Sequence, residues 1–334
     1  MASARKESRG VAILDKLVSR FQLEREARDA KRRRETVIAQ AVQRVLELSA
    51  PVMGTFRDCR RELHDPVAAA LAHIDETIAA IPGPLPLSPQ AWGRHPLLQA
   101  LFVDAEEVKA LLVRDRRLRS FFTRNPAARA CALLTASRCE RTIFCTAVEG
   151  EIVRRDVART AVEFRDRRLL DPGETPDETR HALRMRALTA LVTAVIEPAL
   201  RQRSLQEELR EQQRILSIQL KIKQSRLDRS ADGESGATGA DPPAILADID
   251  RQIRELSAAS IAPQEILTQV AQVLRAPQAV LTVNPVAMRL NWMGVKQCKD
   301  SPECDLDIRL VEVELKDHWR RTAVFVDIAR PESG

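Results

Sequence analysis

The chain has 334 residues, of which 44% are hydrophobic and 30% charged, as is ordinary for a soluble globular protein with room for two domains and a sizeable core. The apolar run from Ala187 to Leu200 is too short to span a bilayer, so no membrane insertion is predicted. The polar N-terminus lacks the apolar segment of a secretory signal, and we therefore expect a cytoplasmic protein whose six cysteines are reduced.

The net charge of +6 is unevenly distributed along the chain. Residues 1–80 hold 15 Lys and Arg against 12 Asp and Glu, whereas residues 241–334 hold 11 against 14. A basic front and an acidic tail permit contact with nucleic acid, with an acidic partner or with a second copy, and the charge alone selects none of them.

Residues 1–81 are predicted to form an N-terminal helical arm, because apolar residues recur there at helical spacing. Asp65 and Pro66 resemble the cap and the first position of a new helix within this arm. Four consecutive residues form the densest basic cluster of the chain: Lys31, Arg32, Arg33 and Arg34. We interpret the cluster either as a solvated helix face or as a contact for a phosphate backbone or an acidic partner.

Residues 82–173 are predicted to form a helix followed by a three-stranded antiparallel meander. The helix is expected to run from its cap at Asp104 to Phe122. The three segments rich in β-formers are Ala130 to Thr135, Thr142 to Val148 and Val157 to Phe164. Three arginines of the helix are candidates for a second basic surface: Arg116, Arg117 and Arg119.

Residues 174–230 are predicted to form one long amphipathic helix, and a flexible Gly/Ser-rich linker at 231–241 follows it. Gln212 and Gln213 interrupt the apolar stripe of the helix, so it fits a coiled coil imperfectly. Two arrangements remain open, a coiled-coil dimer and a helical hairpin packed on its own chain.

Residues 242–334 are predicted to form a second helix-plus-meander unit similar to the first. Its β segments are Ala287 to Lys296, Leu306 to Leu315 and Arg321 to Ile328. Several residues of the first unit recur 159 positions later; Asn125 and Pro126, for example, match Asn284 and Pro285. We therefore suspect an internal duplication, in which the two units pair with each other or with those of a second subunit.

Four cysteines are the only group that suggests metal chemistry: Cys139, Cys145, Cys298 and Cys304. If the two units pack about a twofold axis, the four thiols could converge on a zinc ion. Each pair, however, is separated by five residues rather than the two to four usual in structural zinc sites, and cysteine in an apolar segment is commonly a core residue. Core or loop cysteines, zinc and disulfides remain the alternatives, and no other cofactor is expected.

Catalytic motifs are absent from the sequence, which has no nucleophile elbow, phosphate-binding loop, dinucleotide-binding turn or zinc-protease helix. Aromatic residues make up 3% of the chain and tyrosine is absent, so stacking platforms for single-stranded nucleic acid are scarce.

These patterns together predict an α+β protein that is predominantly helical, with long helical arms and two similar helix-plus-three-stranded antiparallel meander units. We expect a non-enzymatic oligomeric scaffold or adaptor that associates with itself and with other proteins in a larger assembly. The alternative is a nucleic-acid-associated protein that binds the phosphate backbone through its basic helical arm.

Overall fold

A computed structural model of the chain describes residues 2–53, 59–149, 152–227, 242–258, 262–297 and 306–330. The helices are α1 (Ala2–Met53), α2 (Cys59–Ala79), α3 (Pro89–Trp92), α4 (Pro96–Leu101), α5 (Ala105–Arg114), α6 (Arg116–Arg124), α7 (Pro176–Leu227), α8 (Pro242–Ala258) and α9 (Pro263–Arg275). The strands are β1 (Leu85–Pro86), β2 (Arg129–Glu149), β3 (Ile152–Gly173), β4 (Leu281–Leu290), β5 (Leu306–Leu315) and β6 (Trp319–Ala329). The predicted α+β class is confirmed. No helix in the described part of the chain is long and apolar enough to cross a membrane.

The strands form one sheet with the order β3-β2-β6-β5-β4, and all of these neighbours are antiparallel. The junction between the two predicted units is the pairing of β2 with β6, which extends from Arg129 opposite Ala329 to Ala136 opposite Thr322. The short β1 adds to β6 in parallel. The two predicted units therefore build a single sheet by pairing edge to edge.

Helices cover both faces of this sheet. On β2 and β6, Leu133 and Phe325 belong to the core beneath α1, α2, α7 and α9, and we call this side the first face. Leu134 and Val324 point the other way, into a core shared with α3 to α6, and we call that side the second face. Since successive side chains of a strand alternate between faces, the central strands must be apolar at nearly every position.

The prediction of three strands in the first unit is wrong. The segments Ala130 to Thr135 and Thr142 to Val148 lie on the single strand β2, which pairs with β3 almost throughout its length. The intervening Ser137 to Arg141 is polar because it lies beyond β6 in a two-stranded ribbon, where residues 139–141 are exposed and Arg138 forms an ion pair with Glu312. The polar residues here belong to a continuous strand rather than to a turn. The three antiparallel strands of the second meander are present, but β4 begins and ends six residues earlier than the predicted segment from Ala287 to Lys296.

Two helix boundaries also differ from prediction. Asp115 divides the expected helix from Asp104 to Phe122, because its carboxylate accepts hydrogen bonds from the amides of Arg117 and Leu118 and caps a new helix. Helix α2 starts at Cys59, so Pro66 lies inside it rather than at its first position. The central helix begins at Pro176, two residues after the predicted start, and is described as far as Leu227. The last three residues of the predicted helix and the predicted linker at 231–241 lie outside the described residues.

The far part of the β2–β3 ribbon folds back to the segment that follows β4. The amide of Val162 donates to the carbonyl of Gly294 at 2.8 Å, and the amide of Lys296 donates to the carbonyl of Thr160 at 2.8 Å. Gly294 has a φ of 75°, and a Cβ there would approach the oxygen of Val162 to 2.9 Å. Only glycine allows this approach.

The two clearest matches at a spacing of 159 do not occupy equivalent elements. Asn125 and Pro126 precede β2, whereas Asn284 and Pro285 lie inside β4. The described part of the fold therefore gives the suspected duplication no support.

Gly83 holds the chain against the central strand, and its replacement tests that packing. Its φ is 114°, and a Cβ would lie 2.3 Å from the carbonyl oxygen of Phe325 on β6. We expect Gly83→Ala to lower the free energy of unfolding by about 2–4 kcal/mol, through backbone strain and overpacking. Gly93→Ala is the matched control, because a Cβ there meets nothing within 4 Å, and its effect should stay within about 0.5 kcal/mol in urea unfolding. Equal effects of the two substitutions would contradict this packing.

Candidate functional site

The four candidate zinc ligands lie largely outside what the structure describes. Cys298 and Cys304 fall outside the described residues, as does the side chain of Cys145. Cys139 is exposed on β2, opposite Glu163 of β3. Among the described residues, no group of three or more His, Cys, Asp or Glu is placed to hold a metal ion. The zinc site remains a prediction.

The two predicted basic groups are far apart in the fold. The cluster Lys31 to Arg34 is exposed on α1, which packs with α2 and α7 over the first face of the sheet. Arg116, Arg117 and Arg119 are exposed on α6, which packs on the second face. Arg117 also donates to the carbonyl of Leu169 at 3.4 Å. The structure does not combine the two groups into one basic surface.

Within the described residues, the four side chains of the α1 cluster form no ion pair. The next residue, Glu35, instead fixes this part of α1 to α2, because its carboxylate lies 3.2 Å from Nε2 of His64. Nδ1 of the same ring lies 3.0 Å from Asp65. The hydrogen bonds with Asp65 and Glu35 raise the pKa of His64 above its ordinary value.

Helix α7 has two environments along its 52 residues, or about 78 Å at 1.5 Å per residue. Its first half lies under the sheet, where Leu188 and Leu191 are completely buried. Its second half packs antiparallel on α8, since Gln202 donates to the carbonyl of Leu256 at 2.6 Å and Gln213 to Asp250 at 2.5 Å. The helical hairpin left open by the sequence is therefore present.

An exposed apolar stripe lies on the outer side of this hairpin. Ile215, Ile218 and Ile222 are 47%, 49% and 46% exposed. At about 100° per residue they lie within roughly 60° of one another, on the side of α7 opposite the residues that face α8. Leu205 is 45% exposed but lies about 80° or more from the three isoleucines around the helix. We call Ile215, Ile218 and Ile222 the isoleucine stripe.

The isoleucine stripe is apolar, whereas solvent-exposed helix faces are usually polar. The outward side of a packed helix is expected to be polar, and a contiguous exposed apolar patch marks an interaction site more often than isolated apolar residues do. In the sequence these isoleucines flank the leucine stripe of the helix, and their exposure shows that they lie off its packed face.

Comparison of the chain with protein-family models, with curated proteins and with solved structures found no match in any of the three.

The His64 contacts predict a pH dependence of the packing between α1 and α2. Because the folded pKa is raised, the stabilising effect is complete at a pH below about 6.5 and is lost as the pH rises through the folded pKa. We expect amide exchange around Glu35, corrected for its intrinsic pH dependence, to increase by about twofold to fivefold between about pH 6 and pH 8.5.

In His64→Gln this pH-linked increase should disappear, while amides of α9 serve as the internal control. The interpretation would fail if the variant and the unmodified protein responded equally to pH.

Proposed function

We propose that the protein is a non-enzymatic oligomeric scaffold or adaptor, whose self-association is made by the isoleucine stripe of α7. The observation that supports this is the half-exposure of three isoleucines on one side of a helix that extends beyond the sheet. The partner that fits the stripe is the same stripe of a second copy, because a twofold contact requires a self-complementary surface.

An antiparallel arrangement lets the two stripes cover each other completely. In a pair centred near Ile218, Ile215 of each copy approaches Ile222 of the other, and the two Ile218 side chains meet at the centre. The stripe is then self-complementary, as a twofold contact requires.

The area of the stripe limits the strength of the contact. Burying a whole isoleucine side chain contributes about 1.5–3 kcal/mol, so covering the exposed halves of six isoleucines contributes about 5–9 kcal/mol. Association costs about 4–15 kcal/mol in lost freedom and ordering. At the favourable end of both ranges we therefore expect a weak dimer with a dissociation constant of roughly 200–500 µM, which suits an adaptor that gains strength from several simultaneous contacts.

Ile218→Glu tests the dimer, because it places a carboxylate at the centre of the stripe. Sedimentation equilibrium should show the unmodified protein shifting from monomer toward dimer between about 10 and 500 µM, at low and at high salt, and the variant remaining a monomer throughout. Leu205→Glu is the matched control, since it introduces the same charge at a similarly exposed apolar position outside the stripe. A monomeric unmodified protein, or equal loss in both variants, would contradict the proposal.

Nucleic-acid binding is the second candidate function, and the observation that favours it is the exposed α1 cluster without ion pairs among the described residues. Four phosphate contacts give a slope of log affinity against log salt of about −3.6. Affinity for a generic duplex should then fall roughly 100-fold between 50 and 200 mM salt, as measured by fluorescence anisotropy.

Replacing Lys31, Arg32, Arg33 and Arg34 with glutamine should remove this salt dependence. Replacing Arg116 and Arg119 on the opposite face of the sheet provides the control. A salt-insensitive affinity, or an equal effect of the two sets, would reject this function.

A further inference from the structure

A cleft of about 390 Å³ lies between the first face of the sheet and helices α2 and α7. Its walls are mostly apolar and include Ile74 and Ile78 from one helix, Ala187 and Ala190 from the other, and Leu133 from β2. This volume falls in the range of about 300–1,000 Å³ typical of small-molecule sites, which are likewise apolar with a few polar groups.

The polar part of the cleft contains three arginines that come from separate elements. Arg168 lies on β3, Arg186 on α7 and Arg321 on β6. Two aspartates pair with them: Asp166 contacts Arg168 and Arg321 at 2.8 Å each, and Asp171 contacts Arg186 at 2.5 and 2.6 Å. Three guanidinium groups against two carboxylates leave one positive charge at the cleft.

The aspartates are fixed in place by irregularities of β3. The register between β2 and β3 shifts between Cys131 and Leu133 and again between Thr135 and Ser137. At these bulges Asp171 and Asp166 have positive φ values of 48° and 53°, a conformation that aspartate tolerates better than most residues. The bulges place carboxylates where they orient the guanidinium groups. The hydrogen bonds from Arg321 and Arg168 also lower the pKa of Asp166, so it stays ionised at neutral pH.

The arginines retain donors for a further anion. Nε of Arg321 is buried and has no hydrogen-bond partner within the described residues. The contacts of Arg168 and Arg186 with their aspartates use Nε and Nη2 of each guanidinium. A buried donor without an acceptor is costly, and an arginine with unused donors can bind a carboxylate through two parallel hydrogen bonds.

We propose that this cleft binds an amphipathic carboxylate, with its alkyl chain along the apolar walls and its carboxylate on Arg168, Arg186 and Arg321. At roughly 30 Å³ per heavy atom, similar to the volume of a water molecule, the cleft of about 390 Å³ accommodates about 13 heavy atoms, enough for a carboxylate of about ten carbons. A neutral chain of this length would leave the positive charge at the cleft uncompensated, so the site discriminates by charge as well as by length.

Isothermal titration with sodium decanoate, kept well below its micellar concentration, tests the site on the full chain. We expect one saturable site per chain and at least tenfold weaker binding of 1-decanol, which has the same chain without the charge. Trp319, 41% exposed at the cleft, supplies an independent fluorescence signal.

Two variants locate the binding. Arg321→Gln should weaken decanoate binding at least tenfold, whereas Arg119→Gln on the second face should leave it unchanged. Ala190→Phe introduces a ring into the cleft and should abolish binding without removing any charge, which keeps the test decisive if Arg321→Gln does not fold.

A binding test with vesicles of an anionic phospholipid distinguishes a site for a free carboxylate from binding to a membrane surface. We expect the protein not to associate with these vesicles. Equal affinity for decanoate and decanol, binding that does not saturate, or binding retained in Ala190→Phe would overturn the proposal. Association with vesicles that decanoate does not displace would also overturn it.

Discussion

Both faces of strand β6 are buried, and this burial determines how the other elements must pack around it. Ala323 and Phe325 face the first layer of helices, while Val324 and Val326 face the second, and all four are at most 3% exposed. A strand of this kind is stable only between two other strands and between two helical layers. The chain supplies these parts from distant segments, with β2 on one side of β6 and both β5 and β1 on the other. The N-terminal and C-terminal halves therefore depend on each other for a common core.

The β2–β3 ribbon shows how this sheet ends without leaving a long flat edge. Where β2 extends beyond β6, Arg138 reaches Glu312 of β5 at 2.7 and 3.0 Å, and both side chains are largely buried. Glu140 then contacts Lys296 at 2.8 Å, and its pKa is lowered mainly by that hydrogen bond. Ion pairs of this kind fix the position of the ribbon more than they stabilise it, because desolvation offsets much of their attraction. Bulges add twist, and the ribbon turns back to the segment after β4.

Much of the fold follows from local sequence patterns, and the errors have identifiable physical causes. The long central helix, the second meander and the cap at Asp104 could be predicted because periodicity and capping are local. The single strand β2 could not, because the polar Ser137 to Arg141 resembles a turn unless its exposure beyond β6 is known. Gln213 interrupts an apolar stripe in the sequence, yet in the structure it forms a hydrogen bond between α7 and α8.

The candidate surfaces were harder to predict than the elements that carry them. Arg186 and Arg321 are more than 100 positions apart, and their approach depends on a strand order that no local pattern contains. The basic cluster of α1 was visible in the sequence, but its separation from the arginines of α6 depends on which face of the sheet each helix covers.

Helix α7 links the two main surfaces. Its buried half contributes Arg186 and Ala190 to the cleft, and its outer half carries the isoleucine stripe. Because both surfaces lie on one helix, the packing of α7 against the sheet and against α8 determines where each of them lies.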